Sequence, residues 1–461
     1  MNDSRELLRR TAELAADYVE SLGERPVFPQ VTPEQLREAL GGPLPEEPLP
    51  PEQVVEELVA GAQPGVVALG SGRYFGFVIG GELPAALAAD WLTSTWDQNA
   101  GLYVGGPSAS VVEQVAREWL VDLLGLPSES SVGFVTGTQM AHVTGLAAAR
   151  WHVLDAVGWD VGANGLTGAP PVTVIAGGKR HVTVDRALRL LGLGAPTVVE
   201  ADSQGRLVPE ALREALGEGP SIVCAQVGEV NTGAFDPLPD VADACEASGA
   251  WLHVDGAFGI WAAVSPRLRH LVGGLERADS WTTDAHKWLN VPYDSGIVIV
   301  RHAAAHRAAM SQSAAYLIAA HGEQRDGTDW VPEASRRARV APVHAVLRTL
   351  GRKGLAELVE RCCSLAMRMA ERLSGTPGVT VLNDVVLNQV LVRFSAPAVS
   401  SGNITERVIA GVQAAGVCWC GGTVWAGEPA MRISVSNWRT REIDIDRSAA
   451  SILEAHARAS A

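Results

Sequence analysis

Hydrophobic and polar positions follow two different periods along this chain of 461 residues. Residues 4–22 carry apolar side chains at helical spacing, which predicts an amphipathic helix. Prolines crowd residues 43–51 and predict a linker. From about residue 110, short β-rich apolar runs alternate with helical stretches. The candidate strands are Val132–Thr136, Val172–Ala176, Thr197–Glu200, Ile222–Val227, Trp251–Val254, Ser280–Thr283 and Ile297–Val300.

This alternation predicts an α/β domain built on a mostly parallel, seven-stranded sheet. Candidate helices between the strands are Met140–Val153, Val184–Leu191 and Pro209–Leu216. In such a sheet the strand ends line one edge, and ligands bind at that edge. We therefore expect the residues that carry chemistry to follow the strands.

The chain divides into three expected parts. Residues 1–65 form a helical segment with too little core to stand alone, so we expect it to pack on the partner subunit. Residues 66–335 form the large domain. Residues 302–340 are less regular and lead into a smaller C-terminal α/β domain, residues 336–461. Its candidate elements are a helix near Val343–Leu350 and strands near Val379–Leu382, Gln389–Val392 and Arg432–Ser436.

Composition narrows the function classes. Hydrophobic residues make up 47% and charged residues 19%, which is typical of a folded globular protein. The net charge is −15 and no basic stripe is present, so neither nucleic acid nor a membrane surface is an expected partner. The N-terminus lacks a hydrophobic signal core, and we expect a cytoplasmic protein. The six cysteines contain no CxxC pair, so we expect neither a disulfide framework nor a zinc site.

Lysine is rare in this chain and suggests a chemical use. Of 37 basic residues only three are lysines: Lys179, Lys287 and Lys353. Arginine cannot form an imine, because its guanidinium keeps its proton in proteins. Lys287 follows a predicted strand, and Asp255 ends an apolar strand upstream. This pairing suggests Schiff-base chemistry on pyridoxal phosphate (PLP). A surface charge remains the alternative for any one lysine.

Three more strand-end sites fit the same cofactor. Gly137, Thr138 and Gln139 open a predicted helix, where backbone N–H groups and the helix dipole favour a phosphate; an ordinary helix cap is the alternative. His181 is placed to lie flat on a pyridine ring, although a lone histidine is more often structural. Asp255 beside the ring nitrogen would keep that nitrogen protonated, and the preceding apolar run argues against a surface turn.

Two further residues are candidates on weaker grounds. His286, next to Lys287, is a candidate to bind the phosphate or to move protons. Asn231, in a segment that follows another predicted strand, is a candidate to contact the ring.

The order of these motifs resembles the PLP-dependent group II amino-acid decarboxylases, the family of aromatic-L-amino-acid and glutamate decarboxylases. The resemblance covers roughly residues 65–455. The segments that carry it are Arg73–Phe77, His253–Gly259, Asp284–Trp288 and Gly351–Gly354.

The resemblance implies a fold-type-I PLP enzyme that acts as a homodimer with a shared active site. It implies that Lys287 holds the cofactor, that Asp255 pairs with the pyridine nitrogen and that His181 stacks on the ring. By the same resemblance, Gly137, Thr138 and His286 serve the phosphate. Further candidate cofactor contacts are Gln139, Asn231 and Ala257, although Gln139 stands where many relatives carry a serine. The implied substrate-binding residues are Phe77, Val78, Trp330 and Arg432, although a structural ion pair remains the alternative for Arg432.

The implied reaction is decarboxylation of an L-amino acid through an external aldimine and a quinonoid. The expected substrate is aromatic or apolar, because aromatic residues cluster in the matching segments; these residues could equally belong to the core.

The chain departs from the family at Thr328-Asp329-Trp330, where aromatic-amino-acid decarboxylases carry a tyrosine that delivers the last proton. An indole N–H is not a practical acid, so Tyr316 or His181 is the expected substitute. Otherwise the reaction turns to an aldehyde with oxygen, to transamination or to another C–C cleavage. A non-catalytic PLP-binding homologue is a further alternative, although an intact Lys287 argues against it.

Overall fold

The computed structural model describes residues 4–312, 314, 321–322, 324–396 and 401–461, without the side chains of residues 401 and 402. The described residues divide into two units. The large unit comprises residues 80–367 and 383–390. The small unit comprises the residues up to 79 together with 368–382 and 391–461. The boundaries at residues 65 and 335 stay a prediction.

The large unit is built on a single sheet that has seven strands in the described part of the chain. Its order is β1-β7-β6-β5-β4-β2-β3. All seven strands were predicted from the sequence, with ends that differ by at most one residue. They are β1 Ser131–Val135, β2 Thr173–Gly177, β3 Thr197–Val199, β4 Ser221–Gln226, β5 Trp251–Asp255, β6 Ser280–Asp284 and β7 Gly296–Val300.

Strand direction places the strand ends. Strands β3, β2, β4, β5 and β6 pair in parallel, whereas β7 runs antiparallel to both β6 and β1. The predicted mostly parallel sheet is therefore confirmed. Strands β1, β4, β5 and β6 all run in the same direction, so their carboxyl ends meet at one edge of the sheet.

Helices and short turns connect these strands. The helix α11 lies in the stretch that the sequence presented as less regular. The helix α12 is interrupted at Gly351, whose φ of 57° is left-handed. The helices that lie in the large unit or begin there are α4 Pro84–Trp96, α5 Pro107–Leu124, α6 Thr138–Asp155, α7 Val161–Asn164, α8 Val182–Leu190, α9 Pro209–Ala215, α10 Leu238–Ser248, α11 Ala303–Met310 and α12 Val340–Leu373.

Packing in the core of the large unit positions the N-terminus of α6. Leu146 and Ala149 of α6 are buried in one cluster with Val174 of β2 and Ile222 of β4. Because α6 starts directly after β1, this packing aims its N-terminus at the edge where the strands end. Strands buried on both faces explain the almost continuous apolar runs in the sequence.

The small unit contains an antiparallel sheet of order β10-β11-β9-β8 within the described residues. The sequence predicted three of its strands. It did not predict β10, where Gly421 and Gly422 obscure the strand pattern. The elements of the unit are α1 Ser4–Ser21, α2 Pro33–Leu40, α3 Pro51–Ala62, α13 Ser401–Ala415, α14 Glu442–Ser460, β8 Val379–Val381, β9 Gln389–Phe394, β10 Gly421–Trp425 and β11 Glu428–Ser434.

Over the stretches that the structure describes, no helix combines the length and apolar character needed to cross a membrane.

Candidate active site

A cavity of about 240 Å³ opens at the carboxyl ends of β1, β4, β5 and β6. It brings together eight residues that the sequence singled out: Gly137, Thr138, Gln139, His181, Asp255, Ala257, His286 and Lys287. The sequence did not single out the remaining residues of the lining, which are Thr183, Gln226, Gly228, Val230, Phe258 and Asp284.

Lys287 reaches this cavity from the turn that follows β6. Its Nζ lies 2.9 Å from Oδ2 of Asp284, and both side chains are largely buried. Oδ1 of Asp284 accepts a 2.5 Å hydrogen bond from the backbone N–H of Thr138. Burial alone would raise the pKa of Asp284, but Lys287, His286 and the Thr138 hydrogen bond outweigh it and lower the pKa. The Lys287 amine is therefore held beside an ionised carboxylate.

Asp255 ends β5 and forms part of the same wall. One of its oxygens accepts a 3.0 Å hydrogen bond from the backbone N–H of Ala257. The other lies 3.4 Å from Nε2 of His142 on α6. Burial would raise the pKa of Asp255, but His142, His181 and Lys287 outweigh it and hold the pKa below its usual range. Asp255 is therefore a buried anion that faces the cavity.

The N-terminus of α6 provides a cradle for an anion. Gly137 precedes the helix without a side-chain cap, and the hydroxyl oxygen of Thr138 is buried with no hydrogen-bond partner among the described residues. A Cβ on Gly137 would lie 3.1 Å from the ring of His286, so glycine keeps this loop open. An unsatisfied hydroxyl beside helix N–H groups fits a phosphate group. The cradle matches the phosphate of PLP, Lys287 matches its aldehyde, and Asp255 matches its ring nitrogen.

His181 lies just before α8 and acts as its N-cap. Its Nδ1 lies 2.8 Å from the hydroxyl of Thr183, which fixes the plane of the imidazole. His286 stacks on Tyr293, with ring centroids 4.2 Å apart. Burial lowers the pKa of His286, although Asp284 opposes this effect.

Two predicted residues lie outside the lining of the cavity in the described part of the chain. Asn231 donates its side-chain amide to Glu229 at 2.7 Å. Trp330 packs against Arg325, whose guanidinium carbon lies 4.7 Å from the ring centroid. Tyr316 falls outside the residues that the structure describes.

Three predicted substrate residues belong to the small unit. Phe77 and Val78 adopt left-handed backbone angles, with φ of 52° and 58°. The ring of Phe77 lies 5.3 Å from that of Trp419, and its side chain is largely exposed, whereas Val78 is buried. Arg432 lies on β11, opposite Gly421 of β10.

The spacing of three further site residues in the sequence also points to the cavity. Asp284 lies three residues before Lys287 and ends β6, just as Asp255 ends β5. His253 lies two residues before Asp255, so both point to the same face of the sheet. His142 lies one helical turn after Thr138 on α6. Each position follows from the periods of strand and helix once the elements are known.

The fold and the cavity fit a PLP-dependent enzyme. Residues 33–396 match the family model described as the pyridoxal-dependent decarboxylase conserved domain. The chain therefore belongs to the pyridoxal-dependent decarboxylase family and is a carbon–carbon lyase. The predicted family, fold class, cofactor and decarboxylase activity are confirmed.

Known proteins resemble the chain over most of its length. Tryptophan decarboxylase 1 of Oryza sativa subsp. japonica is 30% identical over 400 residues, 81% of this chain and 77% of that protein. Phenylacetaldehyde synthase of Arabidopsis thaliana is 25% identical over 452 residues, 93% of this chain and 91% of that protein. The crystal structure of Oryza sativa TDC with PLP and tryptamine matches with a TM-score of 0.92 and 26% identity, covering 100% of this chain and 99% of that chain.

Proposed function

We propose that this enzyme removes carbon dioxide from an aromatic L-amino acid and releases the corresponding amine. The observation that carries the proposal is the shared cavity of Lys287, Asp255 and the α6 N-terminus. Similarity to a protein named tryptophan decarboxylase supports the aromatic substrate. Bound PLP supplies a sink for the electron pair left on Cα when carbon dioxide departs.

Lys287 is the residue that would hold the cofactor covalently through its side-chain amine. An amine attacks a carbonyl only after it loses its proton. Asp284 lies 2.9 Å from Nζ and orients the amine, but its lowered pKa makes it too weak a base to take that proton. Its two hydrogen-bonded oxygens keep the lysine amine pointed into the cavity.

The other cofactor contacts follow from the polar groups around the cavity. Asp255 would keep the ring nitrogen protonated, His181 would cover one face of the ring, and Ala257 would lie beside it. The backbone N–H of Gly137 and the Thr138 hydroxyl would hold the phosphate, because the Thr138 N–H is already taken up by Asp284. Gln139 and His286 complete the phosphate contacts, and a ring contact by Asn231 remains part of the prediction.

We assign substrate recognition to Phe77, Val78, Trp330 and Arg432. An exposed phenyl ring backed by Trp419 offers an apolar surface to an aromatic side chain. Arg432 offers a guanidinium suited to a carboxylate. We assign the final proton transfer to Tyr316, with His181 as the alternative donor.

We also propose that the enzyme is a cytoplasmic homodimer whose N-terminal segment packs on the partner subunit. Helix α1 has 18 residues and an apolar stripe, yet none of its residues is buried. Leu8 on this helix is 60% exposed and Leu44 in the following segment is 90% exposed. A second subunit would cover these side chains. Light scattering should give twice the chain mass of 48.5 kDa.

The first experiment gives purified protein PLP and a mixture of the twenty standard L-amino acids, with mass spectrometry of the products. We expect an aromatic amine lighter than its parent by carbon dioxide, and no amine from Lys287→Ala. An amine derived from a charged amino acid would overturn the proposed substrate class. No change in any amino acid would overturn the activity on standard substrates.

A second candidate function is oxidative aldehyde synthesis. Trp330 stands where the family's decarboxylases carry the proton-donating tyrosine, and a protein named phenylacetaldehyde synthase is a relative. In that reaction the amino acid, dioxygen and water give the aldehyde, carbon dioxide, ammonia and hydrogen peroxide. Hydrogen peroxide equimolar with carbon dioxide would favour this function, and amine without peroxide would exclude it.

A further inference from the structure

A line of buried polar side chains runs from Asp255 into the core of the large unit; its links are hydrogen bonds except the first, where Nε2 of His142 only approaches Asp255. Nε2 of His142 lies 3.4 Å from Oδ2 of Asp255. Nδ1 of His142 lies 2.9 Å from Nε2 of His253. Nδ1 of His253 lies 2.7 Å from the hydroxyl of Ser280, and the indole N–H of Trp251 donates to that hydroxyl at 2.8 Å.

Strands β5 and β6 and helix α6 contribute the side chains of this line. His253 and Asp255 share one face of β5, and Ser280 is the direct partner of His253 on β6. His142 comes from α6, which packs on that face. A Cβ on Gly145 of α6 would lie 3.1 Å from the His253 ring, so this mid-helix glycine leaves the ring its space.

All members of the line are buried. His142, His253 and Ser280 are 0% exposed, and Trp251 is 2% exposed. Each polar atom must therefore find its hydrogen-bond partner inside the protein.

Donor rules fix the two ends of the line. The indole of Trp251 can only donate, so the hydroxyl of Ser280 accepts from it and is free to donate to His253. At the other end an ionised Asp255 can only accept, so Nε2 of His142 faces it as the donor. With one proton on each imidazole, His142 Nδ1 accepts from His253 Nε2, His253 Nδ1 accepts from Ser280, and every proton points towards Asp255. A doubly protonated His142 would instead donate from Nδ1 to His253.

We propose that His142, His253 and Ser280 are positioning residues that hold the Asp255 carboxylate ionised and oriented for the ring nitrogen of the cofactor. The inference rests on the proposed pairing of Asp255 with that nitrogen. Aligned hydrogen bonds polarise one another in a water-free interior and stabilise the negative charge at their end. These residues would thereby influence how strongly the cofactor ring withdraws electrons, although they do not contact the ring.

Burial agrees with a neutral His253. Burial, with His142 beside it, lowers the pKa of His253 to about 3, so the ring is uncharged near neutral pH. The groups that face Asp255 are His142 from α6, His181 before α8, Lys287 after β6 and Cys224 on β4. Burial raises the pKa of the Cys224 thiol to about 12, so it adds no charge.

A matched pair of variants tests the proposal at His142. The amide nitrogen of His142→Gln sits as many bonds from the backbone as Nε2, whereas that of His142→Asn corresponds to Nδ1. Only the glutamine variant keeps a donor for Asp255. The measured quantity is the pH midpoint of the visible absorption band of the PLP-loaded resting enzyme. It reports the basicity of the imine nitrogen, which rises when the ring nitrogen loses its proton.

We expect His142→Asn to raise this midpoint by about one pH unit or more, since a hydrogen bond to a charged group corresponds to roughly one to two pKa units. His142→Gln should stay close to the unmodified protein. His306 is equally buried but lies outside the line, on α11, so His306→Gln should leave the midpoint unchanged. A midpoint shifted equally by the asparagine and glutamine variants would overturn the proposal.

A second measurement needs no mutation that affects folding. Nitrogen NMR of cofactor-free protein labelled at histidine distinguishes the two neutral tautomers and the charged ring. We expect both His142 and His253 protonated on Nε2 alone between pH 6 and 8; an Nδ1 proton on either ring would overturn the inference. If the unmodified protein forms no visible band with PLP, the proposed function fails. A normal band with an unshifted His142→Asn variant defeats only the inference.

Discussion

Asp284 connects Lys287 to the N-terminus of α6. Its Oδ2 lies 2.9 Å from the lysine Nζ, and its Oδ1 accepts the Thr138 N–H at 2.5 Å. The same carboxylate thus contacts the imine-forming amine and the loop that we assign to the phosphate. The position of the amine and the position of this loop are therefore linked through one side chain.

The scarcity of lysine makes the imine easy to locate. We expect borohydride reduction of the PLP-loaded protein to fix the cofactor on a single peptide, the one that contains Lys287. Peptide mass spectrometry is the measurement, and Lys353→Ala is the control, because Lys353 is exposed on α12. Label on the Lys179 or Lys353 peptide would contradict the assignment.

Removing the charge of Asp284 should destabilise the cofactor-free protein. Asp284→Asn leaves a largely buried ammonium without its partner, which costs about 3 kcal/mol of unfolding free energy. Because the pKa of Asp284 is held below its usual value, this contribution is present above about pH 4 and is lost as the pH falls further. Urea titration measures it. Asp122→Asn, which breaks an exposed pair with Arg352, should change stability little.

Two buried histidines should make the protein sensitive to mild acid. Burial lowers the pKa of His253 and of His306 to about 3, while an unfolded chain titrates near 6.5. Between these values only the unfolded state binds the protons, so stability falls as the pH decreases from about 6.5 towards 3. Each histidine contributes about 1.4 kcal/mol per pH unit.

The variant His306→Gln isolates one of these contributions. We expect it to reduce the slope of unfolding free energy between pH 6 and pH 4 by about 1.4 kcal/mol per unit. Substitution of the exposed His270 by glutamine should leave the slope as it is. An unchanged slope in His306→Gln would mean that this ring is protonated in the folded state.

The ratio of amine to aldehyde product should identify the proton donor. Tyr316→Phe removes the phenol that we assign to the last step, so amine formation should fall about 100-fold. The aldehyde share of the product should rise, because the same intermediate then meets oxygen. Tyr18→Phe, which removes a phenol from helix α1, serves as the control. Equal amine output from Tyr316→Phe and the unmodified enzyme would transfer the donor role to His181.

The aromatic surface at Phe77 should govern substrate binding more than turnover. Phe77→Ala removes the exposed ring next to Trp419, and we expect KM for an aromatic amino acid to rise about 10-fold with kcat nearly constant. The absorption of the bound cofactor should not change. Val424→Ala, which shortens another exposed apolar side chain of the small unit, is the matched control. A fall in kcat alone would place Phe77 in the chemical step.

The sheet and most of the cavity were open to prediction because both depend on local pattern. Each strand of the large sheet is an apolar run with a clear end, and residues such as Asp255 and Lys287 follow those ends directly. Two elements were not predicted. Strand β10 contains two glycines and is stabilised by pairing with β11, which the local sequence does not show. Helix α11 lacks strong start and stop signals.

Contacts between residues that are far apart in the sequence could not be predicted. His142 and His253 are 111 positions apart, and their 2.9 Å contact depends on how α6 crosses the sheet. The spacing from Asp255 and Thr138 places each ring on a face of its element, but it does not show that the two rings meet. Trp330 shows the opposite case: its segment is recognisable, but its contact with Arg325 follows from tertiary packing.

The loop at Gly137 lies against Gly296, the first residue of β7. A Cβ on Gly296 would come within 2.4 Å of the Cα of Gly137, so the two main chains touch with no side chain between them. Evolution has little freedom at such a contact, since every available substitution adds atoms where there is no room. Divergence towards new substrates would be expected to spare this pair and to accumulate at side chains such as Phe77, whose neighbourhood can change without moving the anion cradle.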